Sequence, residues 1–319
     1  MDTVRLPGSA AVALATPLDE RGELDHAGLE RLVRRVLSGG VSMVCPTGST
    51  GEGARLGSRR RVEVAAAVRG LVPAEVPVVP GLPATDTESA LSELALLADI
   101  EVTAALVSPP SYFPMPGEEV LGFYAELAAA SPLPIVLYNI PQFTKVSIPP
   151  QVVGELAAHP GIAGIKDSSR DMEYLLAVLG ATTGGAGSPT GPATGSATGF
   201  AVLTGTDTLL MASLLSGAHG TIAASANLVP ELGAEICRRV ASGDLERAMA
   251  AQGRLTDVVL ACRRGTPPAG WKSALEIAGI CDRRPAGRAA PLSAQDHAAL
   301  ADRLAHLGVA TERRWGSDL

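Results

Sequence analysis

The chain has 319 residues, 46% of them hydrophobic, 18% charged and only 3% aromatic, with a formal net charge of −7. That is enough for a large core of Ala, Val, Leu and Ile, arranged as one domain or as one α/β barrel with an appendage. No basic run, aromatic-basic stripe or apolar stretch of bilayer-spanning length occurs, which argues against nucleic-acid and membrane partners.

In chain order, short apolar runs alternate with longer amphipathic stretches. The runs are Ala10–Ala15, Ser42–Pro46, Val76–Pro80, Val102–Val107, Pro134–Tyr138, Ile162–Lys166, Ala201–Gly205 and Gly220–Ala224. Each is followed by helical spacing, such as Leu29, Leu32, Val33 and Val36, or Leu91, Leu94, Leu97 and Ala98. Thr85-Asp86 before Glu88, and Ser168 to Asp171, read as helix starts. Eight βα units in about 220 residues predict a closed parallel barrel, a TIM (β/α)8 barrel, over residues 1–240. Residues 241–319 read as a C-terminal helical appendage. Gly243-Asp244 starts one helix, Trp271–Ile280 forms a second and Ser293–Leu307 a third. Residues 182–198 are uncharged Gly, Ala, Thr, Ser and Pro. They cannot bury apolar area and are expected to form a flexible loop on the face opposite the active-site mouth.

The four cysteines, Cys45, Cys237, Cys262 and Cys281, form no CxxC pair. Free buried thiols in a soluble cytoplasmic protein are expected. The five histidines are scattered without ligand spacing, so neither a metal nor a cofactor is expected.

Only three of the 26 basic side chains are lysines, namely Lys145, Lys166 and Lys272. An amine can lose its proton and attack a carbonyl, which a guanidinium cannot. Lys166 ends the sixth run and precedes Asp167-Ser168-Ser169. Its plain reading is a strand-end lysine paired with Asp167. Other strand ends carry Gly48-Ser49-Thr50-Gly51-Glu52, Ser108 to Phe113 with Tyr112, and Tyr138-Asn139-Ile140-Pro141. A barrel gathers these ends at one mouth, which would hold an amine, two phenols, small hydroxyls and backbone amides. That set suits Schiff-base chemistry: a lysine attacks a ketone, a tyrosine moves protons, and hydroxyls and amides hold a carboxylate. Taken singly, the glycine loop could be a helix-capping turn and Tyr138 a rim aromatic.

Together, GSTGE at 48–52, YNIP at 138–141, GIKDSS at 164–169, Gly205-Thr206-Asp207 and Gly220-Thr221-Ile222 resemble the dihydrodipicolinate synthase/N-acetylneuraminate lyase family of class I pyruvate aldolases. The resemblance spans about residues 8 to 307. It implies Lys166 as the Schiff-base lysine, Tyr138 as the acid/base phenol, and Ser49 and Thr50 as binders of the pyruvate carboxylate, with Ser49 also in a proton relay. Tyr112 matches a second relay tyrosine that reaches a neighbouring subunit's site in a homotetramer, a dimer of dimers. Gly48, Ser168, Gly205 and the backbone near Ile222 would line the bound keto acid.

Two departures bear on the second substrate. Dihydrodipicolinate synthases carry a carboxylate-reading arginine two residues after the YNxP proline, where this chain has Phe143. Sialic acid lyases carry an acidic residue after GxD, where this chain has Thr208. Arg170 stands where the family commonly has glycine and is a candidate anion reader. The first expectation is a pyruvate-type aldolase or lyase, free of metal and cofactor, acting on a 2-keto-3-deoxy sugar acid or a 4-hydroxy-2-oxo acid with an aldehyde partner. The alternatives are 4-hydroxy-tetrahydrodipicolinate synthase, using pyruvate and aspartate semialdehyde, and a non-catalytic keto-acid-binding barrel.

Overall fold

The computed structural model describes residues 6–182 and 199–309. Eight strands form one parallel sheet: β1 Ala10–Ala13, β2 Met43–Cys45, β3 Gly81–Pro83, β4 Ala105–Ser108, β5 Ile135–Asn139, β6 Ile162–Asp167, β7 Ala201–Thr204 and β8 Gly220–Ala223. Their order is β2-β1-β8-β7-β6-β5-β4-β3. A parallel bridge between Val44 and Val78 closes the ring. The chain is thus a TIM barrel with additional C-terminal helices. The expected 182–198 loop lies, apart from Thr182, outside the described residues.

The third strand is where sequence and structure differ. Residues 76–80 are expected to be strand, whereas β3 is Gly81–Pro83. Pro77 and Pro80 carry no N–H, so they cannot donate to a ladder. Residues 77–81 still bridge β2, through Val44 N–H to the Pro77 carbonyl (2.9 Å), Val79 N–H to the Val44 carbonyl (2.9 Å) and Gly81 N–H to the Pro46 carbonyl (2.8 Å).

Two apolar layers account for the architecture. Ala11, Ala13, Met43, Cys45, Val79, Ala104, Leu106, Val136, Ala163, Leu203 and Ile222 fill the barrel interior. Val12, Val44, Val107, Ile135, Leu137 and Val202 face the helices. Alternation along each strand divides the layers. An interior rich in alanine suits a sequence almost without aromatics.

The surrounding helices are α1 His26–Ser38, α2 Ser58–Leu71, α3 Thr87–Ala98, α4 Gly117–Ala130, α5 Pro141–Thr144, α6 Pro150–Leu156, α7 Met172–Thr182, α8 Leu210–Leu215 and α9 Pro230–Ala241. Asp25 and Asp86 cap α1 and α3 by accepting from the backbones of Gly28 and Ser89. Three further helices follow: α10 Leu245–Cys262, α11 Ala269–Ile277 and α12 Ala294–His306. Asp244 and Ser293 cap α10 and α12, as Gly243-Asp244 and Ser293 predict. None of the helices described is long and apolar enough to cross a membrane.

Candidate active site

Lys166 faces the barrel interior because β6 is bulged. Ile162 packs outward and Ala163 inward. Strict alternation from Ala163 would turn Ile165 inward and Lys166 outward. The register instead slips: Ile135 pairs with Ile162, but Val136 pairs with Gly164. This extra residue re-aims the strand end, so Ile165 packs outward and Lys166 points in. Gly164 is required there, because a Cβ would lie 2.4 Å from the Ala201 carbonyl oxygen.

Lys166 and Tyr138 are register neighbours on β6 and β5, and only 3% and 5% exposed. The Lys166 Nζ donates to the Tyr138 hydroxyl at 3.4 Å and lies 4.5 Å from the ring centroid. The same hydroxyl is 3.1 Å from Ser49 Oγ. An amine, a phenol and a serine hydroxyl thus form one chain of polar atoms at the C-terminal ends of β6, β5 and β2.

The Lys166–Asp167 ion pair of the plain reading does not form. Alternation sends Asp167 to the other side of the strand, where it accepts from Asn139 Nδ2 (2.8 Å), the Ser169 backbone (3.0 Å) and Ser169 Oγ (2.9 Å). Burial raises the pKa of Asp167, against the lowering effect of these bonds. Asn139 also accepts from the Ile148 backbone at 3.1 Å. The asparagine of YNIP therefore ties β5 to the strand carrying the lysine. Among the described residues, no carboxylate lies within ion-pair distance of Lys166 Nζ.

The amine opens into a chamber of about 280 Å³. Ser49, Thr50, Phe143, Ser168, Gly205 and Ile222 line it. A second chamber of about 330 Å³ adjoins it, lined by Gly48, Ser108, Ser111 and Thr266 among others. Ser49, Tyr138, Ile140, Phe143 and Pro267 line both. Phe143 is half exposed, so it stands where the chambers join and not in the barrel wall. Gly205 must be glycine: a Cβ would lie 2.0 Å from Ser168 Oγ and 2.8 Å from Lys166 Cε.

Tyr112 is not gathered with these residues. It is 90% exposed, in edge contact with Phe113, and lines neither chamber. Pro109-Pro110 intervene between β4 and Tyr112, and proline holds the residue before it extended. The single chain therefore contributes one phenol to its own mouth, where two are expected.

The glycine-loop glutamate has a role that its sequence position conceals. Glu52 has φ 61°, which is strained for a residue with a Cβ. Its side chain is fully buried against the equally buried Lys272 of α11, at 2.8 Å. Its other oxygen accepts from the Ala286 backbone (2.8 Å) and Arg55 Nη1 (3.1 Å). Lys272 also donates to the Arg284 carbonyl. Arg61, paired with Glu93, donates to the carbonyls of Gly53 and Leu56. The chain that follows Ser49 is thereby fixed at Glu52, Gly53 and Leu56. The scarce lysine Lys272 is thus an ion-pair anchor, while Lys145 is exposed and donates to the Gln142 carbonyl at 3.0 Å.

Sequence reasoning gave no site role to Asp207, named only as part of a motif, or to Arg263 and Arg264, which follow α10. Burial raises the Asp207 pKa, while bonds from Ser225 and the charge of Lys166 oppose it. Arg170, Arg263 and Arg264 line the lysine chamber. Arg263-Arg264 at a helix C-terminus carries no distinguishing signal, since cations are favoured there by the helix dipole. The four cysteines are free. Burial pushes each thiol up to about 12, which leaves no nucleophilic cysteine at neutral pH.

The comparisons agree with the barrel fold. The profile of the Dihydrodipicolinate synthetase family matches residues 7–307. The chain belongs to that family. A 4-hydroxy-tetrahydrodipicolinate synthase of Methanosarcina barkeri is 31% identical over 94% of this chain and 98% of the relative. An uncharacterised DapA-like lyase of Halobacterium salinarum is 32% identical over 92% of this chain and 89% of its own. The solved dihydrodipicolinate synthase of Thermotoga maritima superposes with a TM-score of 0.88 at 26% identity, covering 97% of this chain and all of that one. As a member of the dihydrodipicolinate synthetase family, the chain is a class I lyase or aldolase, the Schiff-base type of enzyme.

Proposed function

We propose that the chain is a pyruvate-type aldolase or lyase in which Lys166 forms the Schiff base. The observation that carries this reading is the buried Lys166 amine, 3.4 Å from the Tyr138 hydroxyl, which is itself 3.1 Å from Ser49.

In cleavage, the Lys166 amine adds to the carbonyl carbon of a 4-hydroxy-2-oxo acid. Tyr138 gives a proton to the departing hydroxyl, and water leaves to form an iminium. The phenol oxygen then takes the proton of the C4 hydroxyl as the C3–C4 bond breaks. The aldehyde departs, and the bonding electrons pass into the iminium as an enamine. Protonation at C3 and hydrolysis release pyruvate and restore the amine. Condensation is the reverse. Ser49 relays the phenol's proton. Ser49, Thr50 and the amide groups from Gly48 onward hold the keto-acid carboxylate. Ser168, Gly205 and Ile222 form the floor beneath the bound acid.

A second reading is 4-hydroxy-tetrahydrodipicolinate synthase, the name borne by the relative from Methanosarcina barkeri. Phe143 disfavours it, since a phenyl ring cannot bind a carboxylate in bidentate fashion. A non-catalytic keto-acid-binding barrel would need neither the buried amine nor the phenol beside it.

Residues 1–240 are read as the catalytic barrel and 241–319 as an appendage that braces it through Lys272. The exposed Tyr112–Phe113 pair suits burial against another copy, and a homotetramer built as a dimer of dimers is proposed. The free thiols suit a cytoplasmic setting. A panel of 4-hydroxy-2-oxo acids and 2-keto-3-deoxy sugar acids, scored by pyruvate release, tests the assignment. Pyruvate release from at least one of them is expected. Turnover of pyruvate with aspartate semialdehyde alone would favour the synthase reading.

A further inference from the structure

The amine and its phenol serve the keto acid and leave the other substrate unassigned. The rim of the chamber bears on that substrate. Arg170 lies between β6 and α7, and Arg263 is the C-cap residue that follows α10. Both are exposed, and both line the chamber into which Lys166 opens.

Three observations set them apart from ordinary solvated charges. Arg170 has φ 67°, a backbone conformation that glycine adopts freely and that strains a side-chain-bearing residue. Strain kept at the edge of a pocket is grounds for a functional hypothesis. Second, among the described residues neither guanidinium has a carboxylate within ion-pair distance. Arg263 makes one long contact, Nη2 to Thr208 Oγ1 at 3.5 Å. The nearby Asp207 carboxylate is occupied by the Ser225 hydroxyl and backbone N–H. Arg264, which also lines the chamber, is engaged elsewhere, with the Ala261 carbonyl (3.2 Å) and Asp296 (3.9 Å). Third, the two guanidiniums feel one another. Burial lowers the Arg263 pKa, and the Arg170 charge acts in the same direction. The Asp207 charge opposes this shift in Arg263 without forming an ion pair with it, so two cations from separate elements converge on one opening, and among the described residues neither is ion-paired.

We propose that Arg170 and Arg263 form an anion-binding rim over the Lys166 chamber, so that the acceptor aldehyde carries a carboxylate or phosphate remote from its carbonyl. The proposal takes the identity of the reacting amine from the aldolase reading, but anion binding at the rim does not depend on it. Depth sets the acceptor's length. Lys166 is 3% exposed and the arginines are at the surface, so the acceptor spans from the buried amine to the mouth. A planar guanidinium pair suits either oxyanion in bidentate geometry.

The test uses the full-length wild type, Arg170→Gly and Arg263→Gln. Glycine relieves the strain at 170, so that variant is expected to fold. Pyruvate is condensed with glyceraldehyde 3-phosphate against glyceraldehyde, and with 5-oxopentanoate against pentanal. The wild type should prefer the anionic member of at least one pair, and the favoured pair identifies phosphate or carboxylate. Each variant should lower that kcat/KM ratio by about 10-fold or more, the loss falling on KM, as expected for a charge-assisted contact. Calorimetric titration with the unreactive anions glycerol 3-phosphate and glutarate should show a matching loss of affinity. Borohydride trapping of pyruvate reports on Lys166 separately. Anion binding that depends on both arginines, without any trapping, supports the rim and refutes the aldolase reading. Trapping with no anionic preference, or with a ratio unchanged to within about 2-fold in both variants, overturns the rim and leaves that reading standing.

Discussion

Lys272→Met isolates the strut beneath the glycine loop. Lys272 and Glu52 are both fully buried and 2.8 Å apart. The methionine is close in volume and removes only the charge and its donors. Glu52 keeps the Ala286 N–H and Arg55, but one oxygen loses its partner in a site without water access. Removing one member of a buried ion pair costs about 3–5 kcal/mol. At about 2–4 °C per kcal/mol for a domain approaching this size, Tm should fall by about 6–20 °C. Activity should fall more steeply than stability alone explains, because Glu52 is three residues from Ser49 and holds the loop in a strained φ. The double variant Glu52→Gln/Lys272→Met should be less destabilised than the sum of the single changes, since it leaves no lone buried charge. Calorimetry on the three variants decides the matter. A Lys272→Met protein within about 1 kcal/mol of wild type, or additive losses in the double variant, would refute the strut.

Tyr138→Phe should slow turnover by about 10²–10⁴-fold, the range for a positioned acid/base group, while pyruvate still binds; a loss under about 5-fold would give the proton to another residue. Gly205→Ala should abolish most turnover without unfolding the barrel, because the new methyl group meets Ser168 Oγ and Lys166 Cε; near-normal kcat would show that the amine does not need its present position. Phe143→Arg should raise kcat/KM for aspartate semialdehyde. A charge-assisted contact of about 1.5–3 kcal/mol sets a ceiling of about 10–150-fold at 1.4 kcal/mol per tenfold. Partial recovery is expected, since nothing around residue 143 is built to orient a guanidinium. A wild type that already works at about 10⁴ M⁻¹s⁻¹ or better would contradict the role given to Phe143.

The barrel was legible because apolar runs and helix-period stretches alternate eight times, and because Asp86, Asp244 and Ser293 cap their helices as such residues do. The lysine, the phenol and the serine were legible because a barrel gathers the ends of its strands. What was hidden depends on contacts that no local pattern carries. The bulge after Ala163 decides which way Lys166 faces, and it appears only in the pairing of β5 with β6. The third strand shifted because prolines interrupt its ladder. Glu52 and Lys272 are 220 residues apart, and nothing local marks either as the other's partner. Tyr112 sits in a family motif, yet its burial would depend on a surface that the single chain does not provide.

The most direct test of the central claim is reductive trapping. The enzyme is incubated with pyruvate and borohydride, digested, and its peptides are mapped by mass. The account predicts a stable three-carbon adduct on the peptide that contains Lys166, and none from Lys166→Ala or from Lys166→Arg, whose guanidinium is not nucleophilic near neutral pH. An adduct on exposed Lys145 or on the ion-paired Lys272, or the absence of any adduct from an active enzyme, would contradict it.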